Sequence, residues 1–214
     1  MNITVKDNFF KDPDKIRNTA LSLYDWVTRD HVNDPAGWRG LRSAALRDYK
    51  IDFLDDISEQ IFQYSSIVRE LDKWRYPWCE CIDNGRRANK PLQEPMITTY
   101  FHQAPAYIAN SLPNFLQNRF HTDDLACAGV IYLNPDPPPK SGTSIIDAEA
   151  VEFKHIENKY NRFVAYDGYI MHGVSGLFGD SLETNRLTLT FFIHEKEDEY
   201  QFEVFEKDTD WREL

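Results

Sequence analysis

Apolar residues in the first third of the chain recur at the three- and four-residue spacing of amphipathic helices. They do so over residues 16–27, directly behind an Asp-Pro pair at 12–13 that is typical of a helix start. A second helical pattern covers residues 52–74. Residues 1–95 are therefore predicted to form a helical N-terminal elaboration, with a loop at 38–43 between its two helices.

Beyond residue 95 the apolar period falls to two and turn residues arrive about every ten positions, which indicates short β-strands. The predicted strands are residues 96–102, 125–133, 143–147, 150–154, 162–166, 186–194 and 201–205. The proline-rich run at 135–139 can only be a loop. Helices followed by many short strands are typical of a β-sandwich or barrel with helices packed on one face. The fold class is thus mainly β with N-terminal helices (α+β), in one domain over residues 1–214.

The composition says little about the fold, but it excludes several classes of protein. The chain has 214 residues, of which 42% are hydrophobic, so it can bury a sizeable core. Its formal net charge of −11 would repel a phosphate backbone, and no nucleic-acid partner is expected. No run approaches the roughly 18 apolar residues of a membrane-spanning helix, and three cysteines supply no disulfide framework. We expect a cytoplasmic protein without a membrane partner, and the oligomeric state stays open.

Three polar residues in the strand-rich part follow an order that suits a metal site. His121 and Asp123 are two positions apart, so both side chains point to the same side of an extended segment. His172 comes much later, behind another strand and turn. A lone histidine is more often structural, but two imidazoles and one carboxylate together form the facial triad of non-haem iron(II) oxygenases. The sequence therefore predicts that His121, Asp123 and His172 bind iron(II).

A cation opens the next predicted strand. The facial arrangement leaves coordination positions free for a bidentate 2-oxo acid and dioxygen. The far carboxylate of that acid needs a cation at fixed reach, and the planar guanidinium of Arg186 offers two donors for it. By itself Arg186 would be a surface ion-pair partner, and its position after His172 is what favours the co-substrate role.

The segments around these residues resemble the iron(II)/2-oxoglutarate oxygenase superfamily, in particular its prolyl-hydroxylase-like branch. Besides the triad, the matching segments are Ala-Gly-Val-Ile-Tyr-Leu-Asn at 128–134, Ser-Gly-Thr at 141–143, Asn-Arg-Phe-Val-Ala-Tyr-Asp at 161–167 and His-Gly-Val at 172–174. The resemblance implies a double-stranded β-helix (a jelly-roll, cupin-like barrel) as catalytic core over residues 96–206. It also implies iron(II) as cofactor, with 2-oxoglutarate and dioxygen as co-substrates.

The resemblance further implies roles for individual pocket residues. Tyr132 ends a strand in the position whose hydroxyl contacts the co-substrate carboxylate in that branch, and Tyr100 matches a second pocket tyrosine. Arg186 with Thr188 is similar to the family's Arg-x-Ser/Thr anchor for 2-oxoglutarate. Related halogenases carry a small residue where this chain has Asp123, so the resemblance implies hydroxylation and not halogenation.

Three residues outside these motifs are predicted to contact the substrate. Trp38 and Arg42, between the two predicted helices, could reach over the barrel mouth, although ordinary packing is the alternative for both. Arg119 lies directly before His121 and could face the pocket with a donor for a polar or acidic group.

The predicted function is hydroxylation of an unactivated C–H bond, with release of succinate and carbon dioxide. The partner would be a small-molecule or peptide substrate: a free amino acid, a peptide or protein side chain, or a small metabolite. A non-catalytic cupin-like binding protein is the first alternative, and a metal-dependent enzyme that does not use 2-oxoglutarate is the second. The intact triad argues against the first, while Asp123 and Arg186 argue against the second, because such enzymes usually carry three histidines.

Overall fold

The computed structural model describes residues 3–28, 40–49, 52–65, 96–108, 120–123, 127–147 and 152–194. The helices are α1 (Pro13–Ser22) and α2 (Asp52–Ser65), with a 3₁₀ helix at Leu46–Tyr49 between them. The strands are β1 (Ile3–Lys6), β2 (Leu41–Arg42), β3 (Met96–Ala104), β4 (Cys127–Tyr132), β5 (Gly142–Asp147), β6 (Glu152–Glu157), β7 (Phe163–Asp167), β8 (Met171–Ser175) and β9 (Arg186–His194). None of the helices in these ranges is both long and apolar enough to cross a membrane.

Two antiparallel sheets face each other. The larger sheet has six strands in the order β1-β7-β4-β9-β3-β2, and the smaller has three in the order β6-β5-β8. A bridge between His121 and His172 adds the segment at 120–123 beside β8. Strands that are neighbours in sequence often lie in different sheets, which is the winding of a double-stranded β-helix. The predicted fold class is confirmed.

The larger sheet is buried on both faces, and β4 shows why. All six of its residues are buried. Cys127 and Ile131 point outward into a core that includes Ile16 of α1 and Ile61 of α2. The alternate positions of β4 point the other way. They belong to a second cluster, inside the barrel, which includes Ala128, Val130 and Tyr132. The helices therefore cover the outer face of this sheet, as predicted, and leave its inner face to the pocket.

A close approach between β4 and β9 requires glycine at one position. A Cβ added at Gly129 would lie 2.3 Å from Cζ of Phe191 and 2.2 Å from the carbonyl oxygen of Val164. The space it leaves lets Phe191 stack on Phe163, with ring centroids 5.4 Å apart. This stacked pair ties β9 to β7 across β4 on the helix-covered face.

The first third differs from its predicted structure. Helix α1 starts as predicted, with Asp12 accepting a hydrogen bond from the backbone N–H of Lys15, but it ends at Ser22. Beyond it Val27 forms a bridge with Arg42. The predicted loop over 38–43 is wrong at its end, where β2 pairs with β3. Strands of two to four residues, such as β2 and β1, are too short to produce a measurable period.

In the rest of the chain the predicted elements differ from the observed ones mainly in their end residues. The strands predicted between residues 96 and 194 are confirmed, with ends that move by up to three residues. Strand β8, which contains His172, was not predicted, because its sequence alternates poorly. The predicted helix residues 66–74 and the strand at 201–205 lie outside the described residues, so the proposed core boundary of 96–206 stays a prediction.

Strand β1 is held at the edge of the larger sheet by an ion-pair network just after it. The Asp7 carboxylate lies 2.6 Å from both Lys159 Nζ and Arg162 Nε. Hydrogen bonds from Arg162 and Lys159 lower the pKa of Asp7 to about 2. The N-terminal segment is thus fastened to the turn that joins β6 and β7.

We expect Asp7→Asn to lower the free energy of unfolding by about 1 kcal/mol at neutral pH, because the pairs are partly exposed. The pKa of Asp7 falls from 3.8 to about 2 on folding. Its contribution is therefore complete above pH 3.8 and disappears as the pH falls through 2. Urea unfolding of both proteins across this range measures the difference.

The stability difference between wild type and Asp7→Asn should close over that pH window. Asp136→Asn, an exposed position in the proline-rich loop, is the control and should match wild type throughout. A stability difference that stays constant down to pH 2 would mean that the carboxylate charge is not what holds β1.

Candidate metal centre and co-substrate pocket

Backbone pairing brings the three predicted metal ligands together. The N–H of His121 donates to the carbonyl of His172, and the N–H of His172 donates back to His121, both at 2.9 Å. The N–H of Asp123 donates to the carbonyl of Gly168 at 2.8 Å. Two segments that are distant in sequence are therefore aligned by their main chains, and the ligands leave the same face of the smaller sheet.

The donor atoms of this triad form a compact cluster. Ligand atoms of His121, Asp123 and His172 all lie within 4.8 Å of one another. The Asp123 carboxylate lies 3.8 Å from His121 Nε2 and 3.3 Å from His172 Nε2. The His172 side chain is 6% exposed, whereas that of His121 is 57% exposed, so the cluster opens on the His121 side. One small cation between the three donors would satisfy all of them.

The tautomer of His172 is set by a neighbouring carbonyl. Nδ1 of His172 lies 2.9 Å from the carbonyl oxygen of Ile170. A carbonyl can only accept, so Nδ1 carries the proton and Nε2 presents its lone pair towards Asp123. Such a hydrogen bond also fixes the ring orientation that a metal ligand needs.

Arg186 places a buried cation at the other end of the barrel interior. It begins β9 and is 3% exposed. Its Nη2 donates to the carbonyl of Gly142 at 3.4 Å, and its guanidinium carbon lies 5.6 Å from the Tyr132 ring centroid. Nε is buried without a partner, and no carboxylate in the described ranges lies within ion-pair distance. Burial lowers the pKa of Arg186. A buried charge without a counter-ion is unfavourable, so this position favours an anionic ligand.

Side chains with hydroxyl groups lie on β9 itself and on the strands paired with it. Tyr132 is fully buried and its hydroxyl lies 2.7 Å from Oγ1 of Thr143. Burial raises the pKa of Tyr132, so the phenol stays neutral. Thr188 pairs with Tyr132 in the sheet, and its hydroxyl lies 3.3 Å from that of Thr190. Tyr100 is half-buried on the neighbouring strand, with its ring 6.3 Å from Phe192.

The distance between the two ends of this pocket can be estimated from the residue spacing along β5. Gly142, whose carbonyl accepts from Arg186, and Ile145, which pairs with His172, are three residues apart on it. At about 3.3 Å per residue the two levels are about 10 Å apart. A five-carbon dicarboxylate can bridge that separation with one end near the triad and the other near Arg186, so the donor set and the pocket fit iron(II) and 2-oxoglutarate.

Of the predicted substrate residues, only Arg42 lies within the described ranges. Its guanidinium carbon stands 5.0 Å from the Tyr100 ring centroid and 5.5 Å from that of Phe192. Arg42 therefore lies in a paired strand, β2, and not in a free loop, and this strand places it at the edge of the pocket. Trp38 and Arg119 lie outside the described residues.

Two pocket residues were not predicted from sequence. Thr143 accepts or donates the hydrogen bond at Tyr132, and Tyr166 lies with its ring 4.4 Å from that of His172. Both occupy inward-facing positions, Thr143 on β5 and Tyr166 on β7. Strand alternation alone gives two possible faces, so only the register between strands could have singled them out.

Comparisons with known proteins give relatives by structure and not by sequence. No family model matches the chain, and no curated protein matches it in sequence. A prolyl-4-hydroxylase of Pseudomonas putida superposes with a TM-score of 0.57 at 15% identity, over 92% of this chain and 94% of that one. A Trichoplax adhaerens prolyl hydroxylase, in complex with a peptide fragment of the hypoxia inducible factor oxygen degradation domain, gives 0.58 at 13% identity, over 90% and 83%.

A third solved structure carries the metal. HygX from Streptomyces hygroscopicus, with iron bound, superposes with a TM-score of 0.52 at 9% identity, over 90% of this chain and 82% of that one. Each comparison spans 90% or more of this chain. The protein therefore has the double-stranded β-helix fold of the prolyl-hydroxylase-like iron(II)/2-oxoglutarate oxygenases.

Proposed function

We propose that this protein is an iron(II)- and 2-oxoglutarate-dependent oxygenase that hydroxylates an unactivated C–H bond. One observation carries the proposal: a barrel interior that holds two imidazoles and a carboxylate at one level and, at the other, a buried arginine with no carboxylate partner among the described residues. Iron(II) on the three donors would supply the oxygen-activating chemistry, with succinate and carbon dioxide as co-products. The relatives by fold include prolyl hydroxylases, which supports this class.

The chain's own residues would bind and orient the co-substrate. Arg186 would pair with the far carboxylate of 2-oxoglutarate through two parallel hydrogen bonds. Tyr132, kept neutral by burial, would add a third donor to the same carboxylate, and Thr188 would complete this end. Tyr100 would line the side of the pocket near the edge strand.

Asp123 would decide the type of reaction. Its carboxylate occupies the third corner of the donor cluster, 3.3 Å from His172 Nε2. A carboxylate there takes up a coordination position and carries one negative charge, so a chloride ion has no place to bind. Hydroxylation is accordingly favoured over halogenation.

The substrate would be an amino acid, a peptide or protein side chain, or a small metabolite. The peptide bound to the Trichoplax prolyl hydroxylase supports the second of these classes. Arg42 at the pocket edge is the residue that we assign to the substrate, because its cation lies over two aromatic rings that line the pocket. A substrate with a carboxylate or a polar carbonyl near the reacting carbon would suit it.

His172→Ala should abolish tight metal binding. Removing one of three protein ligands, the buried one, is expected to weaken Fe²⁺ affinity by at least about 100-fold. Anaerobic calorimetry with Fe²⁺ measures the loss, and His155→Ala, an exposed histidine of β6, is the matched control. Wild-type affinity in His172→Ala would remove His172 from the site and the proposal with it.

Arg186→Met should separate co-substrate binding from metal binding. Loss of the guanidinium is expected to weaken 2-oxoglutarate about 100-fold, while Fe²⁺ affinity stays unchanged. The thermal midpoint should stay level or rise, because methionine fills the volume without a buried charge. Anaerobic titration, followed by the weak visible charge-transfer band of the chelate, gives the affinity.

Lys11→Met, at an exposed position of the N-terminal segment, controls for the general loss of a positive charge. If wild type binds Fe²⁺ but no 2-oxoglutarate, a metal-dependent enzyme of another kind is the better reading. If wild type does not bind Fe²⁺ either, the barrel is a non-catalytic binding module.

Arg42→Ala should act on the substrate alone. We expect its affinity for 2-oxoglutarate to stay within about two-fold of wild type, while the KM of any substrate that stimulates succinate release rises about ten-fold. The screen should start with proline-containing peptides and free amino acids. Equal KM values in both proteins would exclude Arg42 from substrate recognition.

A further inference from the structure

Tyr166 stands beside the metal centre on the inner face of the larger sheet. Its ring centroid lies 4.4 Å from that of His172, with 47° between the ring planes. The residue is 4% exposed and lies between β4 and β1, paired with Ala128 and Ile3. The main chain on both sides is bonded, so the position of this side chain is fixed by the centre of a sheet and not by a loop.

The hydroxyl of Tyr166 differs from those of Tyr132, which is buried, and Tyr49, which is partly buried. Those two are hydrogen-bonded, to Thr143 and to Asp25. No hydrogen bond joins the Tyr166 hydroxyl to any residue in the described ranges, yet its oxygen is not among the fully buried, unpaired atoms. The oxygen therefore keeps some exposure, on a side chain that belongs to the cluster inside the barrel. Buried phenols normally have a partner, so a ligand in that space is the group that would supply one.

The Tyr166 hydroxyl can donate a hydrogen bond, because an ordinary phenol keeps its proton near neutral pH. Its ring packs against His172, and the side chain belongs to the cluster inside the barrel together with Tyr132. The phenol therefore lies beside the predicted metal ligands, on the same inner face as the residues assigned to the far carboxylate.

We propose that Tyr166 binds the metal-proximal end of the 2-oxo acid, its hydroxyl donating to the carboxylate oxygen that chelation leaves free. This inference rests on the proposed function. A 2-oxo acid chelates through one carboxylate oxygen and its oxo oxygen, so the second carboxylate oxygen still needs a donor. Tyr132 and Arg186 serve the far carboxylate, and Tyr166 supplies the donor at the near one.

The test compares two acids that share the near end and differ at the far end. Mn²⁺-loaded protein is titrated by calorimetry with 2-oxoglutarate and with 2-oxobutyrate, which lacks the far carboxylate. Tyr166→Phe, which keeps the ring against His172, should weaken both acids by about ten-fold. Arg186→Met should weaken 2-oxoglutarate alone. Tyr24→Phe, at a residue that is 96% exposed, is the control for losing a phenol oxygen.

Each result decides the inference. Unchanged binding of both acids by Tyr166→Phe overturns it, and so does a loss confined to 2-oxoglutarate, since the hydroxyl would then serve the far carboxylate. Weaker Mn²⁺ affinity in Tyr166→Phe also overturns it, because the hydroxyl would then act through the metal ligands. If wild type itself binds neither acid, the proposed function fails together with the inference.

Discussion

A two-residue antiparallel bridge, His121 with His172, is the contact on which the site depends. Each residue donates and accepts one backbone hydrogen bond at 2.9 Å. Directly opposed residues in an antiparallel pair project to the same face, so this bridge aligns both imidazoles without any help from their side chains. Because His-x-Asp places its second member two residues on, the Asp123 carboxylate follows to the same side. The geometry of the triad is therefore a property of the main chain.

The opposite end of the pocket depends on a buried charge and not on backbone pairing. Arg186 is buried with an orphaned Nε and no carboxylate partner among the described residues. Such a charge destabilises the folded protein until an anion reaches it. A carboxylate ligand would remove that penalty, so binding at Arg186 and stability of the barrel are coupled. The formal net charge of −11 also disfavours the approach of polyanions.

Much of the fold and part of the site could be predicted from the sequence, for physical reasons that differ between elements. Strands such as β9 are long enough to show a period, and Asp12 with Pro13 marks the start of α1. Strand β2 escaped prediction because two residues carry no period, and its pairing with β3 depends on contacts between distant segments. Tyr166 escaped for another reason: its inward direction depends on the register of β7, which alternation alone leaves two-fold ambiguous.

Arg42 lies in a paired strand and not in the predicted loop, and this difference determines how firmly its side chain is held. As part of a loop, Arg42 would reach the pocket only in some conformations. In the structure Arg42 pairs with His102, His102 with Thr188, and Thr188 with Tyr132. These residues form one row across the sheet, from its edge to the anchor end of the pocket. A contact built on paired strands is held more precisely than one on a loop. The cation assigned to the substrate is thus fixed relative to the residues assigned to the co-substrate, and under the proposed function this rigid spacing would select one C–H bond.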